Sequence, residues 1–339
     1  MKIDYPIAVS LKLTNKCNYN CIHCMANSGS ETISEMRTEE ILGLIDELDK
    51  NKIFALDLTG GECLTHKDFK EILGYCRDKF FSTIISSNAS LIDEEMAGIF
   101  KNNRVTLVKV SLDSAEETVT NYIRGRADAF NSTITGIKNL RKRNIPVAIQ
   151  TAISKINYKN IDELVKLCRK IDVTAINFFI VLPGGRAQNL NKEIFLPNDL
   201  DGFYHKLAKL KAKNTDIVFL HDSPLHCVHE IINAKKKINN GTACLAAKTA
   251  VFIKENGDVI PCPYFDMAVM GNVLNEPLKN IWENSSIRRD LLSKEKLDKE
   301  CRTCKYTDQC FGGCRAAAFT KYGTISKSDP YCFVRKEYE

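Results

Sequence analysis

Three cysteines near the start of the chain, Cys17, Cys21 and Cys24, are spaced C-x3-C-x2-C. Three thiolates this close can grip three corners of a [4Fe–4S] cube and leave the fourth iron open to a small molecule. Zinc is the competing occupant; a structural zinc wants four ligands, and His23 would be the fourth. A second array follows much later, with Cys244, Cys262, Cys301, Cys304, Cys310, Cys314 and Cys332. One four-thiolate cluster would use four of these and leave three. Two clusters fit the count, with one site a ligand short. Zinc fits it poorly, because zinc sites are built from tetrads.

Other reactive groups stand at the ends of apolar runs. Leu58-Thr59-Gly60-Gly61-Glu62 closes one run. Paired glycines there permit close backbone approach, and the carboxylate can pair with an ammonium group. Asn88 closes a second run and Val110-Ser111-Leu112-Asp113-Ser114 a third; Arg124, in Ile123-Arg124-Gly125, suits a carboxylate partner. Leu182-Pro183-Gly184-Gly185-Arg186-Ala187 closes a fourth. Taken singly, each also reads as an ordinary turn. Four of the fourteen cysteines remain. Cys76 and Cys168 lie in helical patterns and read as buried small hydrophobes. Cys63 follows Glu62, and Cys227 lies in His226-Cys227-Val228-His229; these two have the option of a thiol role, as hydrogen-atom donor or, for Cys227, as cluster ligand.

Such positions need elements to hold them. Strand patterns recur at 7–13, 54–58, 83–87, 106–112, 146–153 and 175–182, with helical patterns at 38–48, 69–77, 93–100, 132–141 and 161–168 between them. This alternation predicts an α/β fold, a parallel sheet with right-handed crossovers curled into a partial (β/α)6 TIM-like barrel. The active site then lies at the carboxyl ends of the strands. Residues 196–235 read as a bridging segment with a helix at 200–210. The expected division is 1–235 as the core, bridge included, and 236–339 as a small cysteine-rich domain whose thin core needs metal staples. Trp282 reads as core between the two.

Composition narrows the classes. Apolar residues at 44% and charged residues at 27% suit a globular protein with a sizeable core. The net charge of +6 is spread among interleaved signs, so no basic stripe argues for nucleic acid, and Lys235-Lys236-Lys237 reads as a solvated helix face. No signal peptide or bilayer-length apolar run is visible, which predicts a cytoplasmic protein with no membrane partner. Thiols stay reduced there, so metals or catalysis come before disulfides.

C-x3-C-x2-C after the first strand of a βα barrel resembles the signature of the radical S-adenosylmethionine (SAM) superfamily, with His23 where an aromatic is usual. The resemblance implies that Cys17, Cys21 and Cys24 hold a [4Fe–4S] cluster whose open iron chelates SAM. Thr59, Gly60, Gly61 and Glu62 resemble the family's GGE element, which binds the SAM amino group. Asn88, Ser111, Asp113 and Arg124 fall where relatives contact SAM, and Gly185-Arg186-Ala187 resembles a Gly-Arg-Ala element of the same enzymes. The late array resembles the SPASM extension. By that resemblance one auxiliary [4Fe–4S] cluster takes Cys244, Cys262 and Cys314, with Cys227, a non-cysteine group or an open iron completing it. The other takes Cys301, Cys304, Cys310 and Cys332, for three clusters in all.

The implied chemistry is reductive SAM cleavage to a 5′-deoxyadenosyl radical, which takes a hydrogen atom from the substrate, with auxiliary clusters accepting an electron or holding a thiolate. The expected substrate is a peptide or protein side chain or backbone, oxidised or cross-linked in ribosomal peptide maturation. A flavodoxin- or ferredoxin-type protein is the expected reductant. Sixteen residues precede Cys17, so the expectation is that the N-terminal leader-binding domain of some relatives is absent and a separate leader-binding protein is needed. Pro263 stands where formylglycine-forming relatives carry Asp, which speaks against sulfatase maturation. Gly312-Gly313-Cys314-Arg315-Ala316 also resembles relatives that modify haem precursors, so a tetrapyrrole is the alternative substrate. A non-catalytic iron–sulfur electron carrier is the alternative from another class.

Overall fold

Apolar strands and amphipathic helices alternate along most of the chain in the computed structural model, which describes residues 3–29, 34–173, 175–190, 192–195, 197–221, 223–234 and 244–334. The lysine run at 235–237 and the division expected near 235 lie outside the described residues. The elements run β1 (Ala8–Lys12), α1 (Thr38–Lys50), β2 (Ala55–Thr59), α2 (Phe69–Cys76), β3 (Ser82–Ser87), α3 (Glu94–Asn102) and β4 (Leu107–Ser111). There follow α4 (Glu117–Arg124), α5 (Ala129–Lys142), β5 (Val147–Ile153), α6 (Ile161–Lys170) and β6 (Ala175–Ile180). Then come α7 (Pro197–Lys213), β7 (Val218–His221), α8 (Pro224–Ala234), β8 (Ala250–Ile253), β9 (Asp258–Ile260) and β10 (Gly271–Asn272).

Local sequence explains these elements. In α1 the buried residues Ile41, Leu44, Ile45 and Leu48 recur at helical spacing and form one stripe facing the sheet. Asp93 begins α3 by accepting the Met96 N–H at 2.7 Å. In β2 four successive residues are buried, as a parallel strand covered on both faces requires.

The strands form one sheet in the order β10-β9-β8-β1-β2-β3-β4-β5-β6-β7. β1 to β7 are parallel and in chain order, so their carboxyl ends share one rim. Two features depart from the six-strand expectation. The bridging segment is not only helical: it contributes β7, a seventh parallel strand beside β6. The cysteine-rich region also joins the sheet, with β8 pairing in parallel with β1 and β9 and β10 following antiparallel. Trp282 is fully buried and donates its indole N–H to the Ile3 carbonyl at 2.8 Å, which ties this region to the start of the chain.

Candidate active site

The cysteine loop leaves the carboxyl end of β1 and is clasped by the ends of three other strand–helix units. Gly61 N–H donates to the Thr14 carbonyl and Glu62 N–H to the Lys16 carbonyl, both at 2.8 Å. Ile22 N–H reaches the Ile123 carbonyl at 2.9 Å, and Arg186 N–H the Cys24 carbonyl at 3.0 Å. These approaches need glycine at two points. A Cβ on Gly61 would lie 2.3 Å from the Lys16 carbonyl oxygen, and one on Gly185 (φ +51°) 2.4 Å from that of Cys24. The Arg186 side chain completes the clasp by donating to the Cys21 and Ser28 carbonyls, each at 2.8 Å.

Cys17, Cys21 and Cys24 line a cavity of about 240 Å³ at the rim. Each sulfur faces an N–H donor: Tyr19 N at 3.4 Å from Cys17, Ser28 N at 3.4 Å from Cys24, and Arg124 Nη1 at 3.9 Å from Cys21. Burial nevertheless pushes the Cys17 thiol up to about 12 and raises Cys21 as well. Two thiols so desolvated become thiolates only against a strong positive charge, which cluster iron would supply. His23 lines the same cavity, but its Nε2 sits 3.3 Å from Asp113 Oδ2, so that nitrogen is directed to a carboxylate and not to the sulfurs. The donor set is three thiols and an open side, which fits a [4Fe–4S] cluster and not a zinc tetrad.

Thr59, Gly60, Gly61, Asn88, Ser111 and Arg124 line this cavity with the cysteines. Glu62 and Asp113 do not line it. The Glu62 carboxylate is turned inward, accepting from Asn88 N at 2.8 Å and Ser87 Oγ at 2.9 Å. Asp113 is spent on Arg124 Nε at 2.7 Å and on the Ala152 N–H at 3.0 Å. Burial acts to raise the Asp113 carboxyl, but Arg124 and His23 overcome it and hold it below the usual carboxylate range. These two carboxylates therefore act from behind the wall: Glu62 fixes the end of β3 and Asp113 aims Arg124 at Cys21. Ser87 and Arg186 also line the cavity. Of these, the strand-end Gly-Gly-Arg signals Arg186, whereas nothing in the sequence distinguishes Ser87 from other strand serines.

The spare thiols stand apart. Cys63 is fully buried, its thiol donates to the Ser86 carbonyl at 3.5 Å, and it does not line the cavity. Cys227 lies on α8 and lines neither cavity formed by Cys244, Cys262 and Cys314, so the structure does not bring it to them as a further ligand.

The late cysteines form two groups. Cys244, Cys262 and Cys314 line a cavity of about 410 Å³. Cys301, Cys304, Cys310 and Cys332 surround a second, much smaller one, walled by Leu225 and Val228 of α8. Burial pushes Cys262 and Cys301 up to about 12 and raises Cys310 and Cys314 further. Arg315 lies beside them over Gly312, lining a cleft with Cys244, Cys262, Cys310 and Cys314. It is buried, and among the described residues none of its guanidinium nitrogens has a hydrogen-bond partner. An orphaned buried cation among desolvated thiols fits an anionic cluster as its missing counter-charge.

A third cavity, of about 510 Å³, adjoins the first and the one at Cys244. Leu182, Phe252, Pro263 and Tyr264 line all three, so one apolar partition separates the first cysteine site from the second. Lys12 crosses below it to Glu255, with Nζ 2.9 Å from Oε2, and both side chains are buried.

Residues 11–185 match the family model of the radical SAM superfamily. The chain belongs to the radical SAM superfamily. Residues 244–305 of this radical SAM enzyme match SPASM, an iron–sulfur cluster-binding domain. It is 30% identical to an AdoMet-dependent heme synthase of Methanosarcina barkeri, over 97% of each chain. It is 28% identical to the mycofactocin maturase MftC of Mycobacterium tuberculosis, over 97% of this chain and 83% of that one. Its fold matches that of Streptococcus suis SuiB bound to S-adenosylmethionine, with a TM-score of 0.79 at 19% identity, over 97% of this chain and 77% of SuiB. Iron–sulfur clusters and SAM are thus the cofactors of the family. Among the described residues no helix is long and apolar enough to cross a membrane.

Proposed function

We propose that this radical SAM enzyme oxidises a peptide, with three [4Fe–4S] clusters: one at Cys17, Cys21 and Cys24, one at Cys244, Cys262 and Cys314, and one at Cys301, Cys304, Cys310 and Cys332. When bound, the first cluster and SAM supply a 5′-deoxyadenosyl radical, and the other two supply electron acceptors. The chain's own part is to bind, orient and exclude water. Gly60 and Gly61 present backbone to SAM, Arg124 is held by Asp113 for its carboxylate, and the Leu182–Phe252–Pro263–Tyr264 partition keeps the reacting carbon dry. Residues 1–235 form the SAM-cleaving unit in this reading and 236–339 the auxiliary-cluster unit. The fourteen cysteines suit a reducing compartment, the cytoplasm.

The observation that carries the peptide reading is the charge of the cavities. Among the described residues, the 410 Å³ cavity is lined by Phe179, Leu200, Leu225 and Tyr331, and its one charged group is the acid Asp329. In the 510 Å³ cavity both lysines are already paired, Lys12 with Glu255 at 2.9 Å and Lys254 with Asp266 at 2.7 Å. A tetrapyrrole bearing several carboxylates needs cations to receive them, whereas an apolar peptide side chain needs none. SuiB, solved with the precursor peptide SuiA, and the maturase MftC support this reading. The end-to-end similarity to a heme synthase favours the second reading, oxidation of a tetrapyrrole.

The test is to incubate cluster-loaded protein with SAM and dithionite, alone, with short precursor peptides encoded beside its gene, and with an iron tetrapyrrole bearing propionates. The expected result is 5′-deoxyadenosine together with loss of two hydrogen atoms from a peptide. Carbon dioxide released from the tetrapyrrole, with peptides unchanged, would replace the first reading by the second. Iron analysis should return about twelve atoms per chain.

A further inference from the structure

α7 and α8 pack side by side and carry a cluster of ligating side chains that the radical chemistry does not use. Asp201 and His205 lie four residues apart on α7, so they share one face of that helix. His229 of α8 meets them from across the interface. The three donor atoms lie within 4.8 Å of one another.

The spacings fit an ion better than hydrogen bonds. Asp201 Oδ2 is 3.7 Å from His205 Nε2, and Asp201 Oδ1 is 3.8 Å from His229 Nε2. Both are too long for hydrogen bonds. A tetrahedral zinc with ligands at about 2.0–2.2 Å holds its donors about 3.3–3.5 Å apart, within reach of small side-chain rotations. His229 supplies the independent observation. Its side chain is 1% exposed, and among the described residues neither ring nitrogen has a hydrogen-bond partner. A buried imidazole left unpaired is costly, and a metal bond at Nε2 removes that cost at the nitrogen facing Asp201. Asp201 and His205 are about half exposed, which leaves the site open to an ion from solvent and its fourth position open to water.

We propose that Asp201, His205 and His229 bind a divalent transition-metal ion, zinc by its ligand chemistry, that clips α7 to α8. Two imidazoles and one carboxylate with no thiolate distinguish this site from every cysteine site in the chain. Val228, next to His229, walls the cavity of Cys301, Cys304, Cys310 and Cys332. The clip therefore steadies the helix that covers those thiols.

The test uses the cluster-loaded protein and Co²⁺ as the probe, by anaerobic equilibrium dialysis and absorption spectroscopy. Expected is one Co²⁺ per chain, with ligand-field bands of a nitrogen–oxygen set, no thiolate charge-transfer band, and displacement by Zn²⁺. His205→Ala, at a half-exposed position, should weaken Co²⁺ binding at least tenfold with iron and sulfide content unchanged. His229→Asn should do the same, checked for folding by circular dichroism. Equal Co²⁺ affinity in wild type and His205→Ala, a spectrum carrying thiolate charge transfer alone, or no bound Co²⁺ would each overturn the proposal.

Discussion

The two ends of this molecule hold cysteines in opposite ways. Cys17, Cys21 and Cys24 ride on a loop gripped by backbone hydrogen bonds from three strand–helix units of a large sheet. The late cysteines ride on short helices and turns. Cys301 and Cys310 lie in helices Lys299–Thr303 and Thr307–Cys310, and Cys314 caps Arg315–Tyr322 by accepting the Ala317 N–H at 3.5 Å. In the first region the protein shapes the site that the proposed cluster would fill. In the second, the thiols are buried on short elements, Cys262 and Cys314 against a small apolar cluster that includes Phe265 and Leu291, so the proposed clusters would supply much of the folding free energy there.

Breaking each site should expose that difference. Cys21→Ala should abolish 5′-deoxyadenosine formation while leaving the circular dichroism spectrum unchanged. Cys310→Ala should instead make residues after 244 sensitive to limited proteolysis, read by mass spectrometry. Equal protease resistance in the two variants would remove the contrast. Stripping all iron with a chelator should act likewise, with 3–221 staying resistant and the C-terminal region cut first.

Smaller changes sharpen it. Asp113→Asn leaves the buried Arg124 without its counter-charge and should cost about 3–5 kcal/mol in denaturant unfolding, with weaker SAM binding. Gly61→Ala drives a methyl group into the Lys16 carbonyl and should cost about 1–3 kcal/mol, with a raised KM for SAM. Arg315→Gln removes the orphaned cation and should lower an auxiliary-cluster potential by roughly 60 mV, a tenfold change in a one-electron equilibrium. Redox titration followed by electron paramagnetic resonance reads that shift, and Arg315→Lys should restore part of it.

Much of the fold and of the site is legible in the amino-acid sequence. The strand pattern at 7–13 places the cysteine loop at a strand end, and apolar periodicity locates β1 to β6. α4 escapes because its buried face is Thr120, Ile123 and Arg124, too polar to read as a stripe. β7 escapes because it is four residues long at the sheet's edge, with Val218 and Leu220 exposed. The inward turn of Glu62 and Asp113 is hidden for a different reason. A motif gives a residue's place on the rim, but its side-chain direction depends on partners such as Ser87 and Ala152, far away along the chain. The Lys12–Glu255 pair, spanning most of the chain, is equally invisible to local pattern.

The pairing of β8 with β1 has a consequence for how the chain is made. β1 leaves the ribosome well before its second neighbour, which begins at Ala250. At an ordinary synthesis rate, roughly tens of seconds pass between the two. Throughout that interval one side of β1 is a bare edge, able to pair with a neighbouring nascent chain. Lys12, at the end of that strand, waits equally long for Glu255. The floor of the cavity is thus among the last parts of the protein to close.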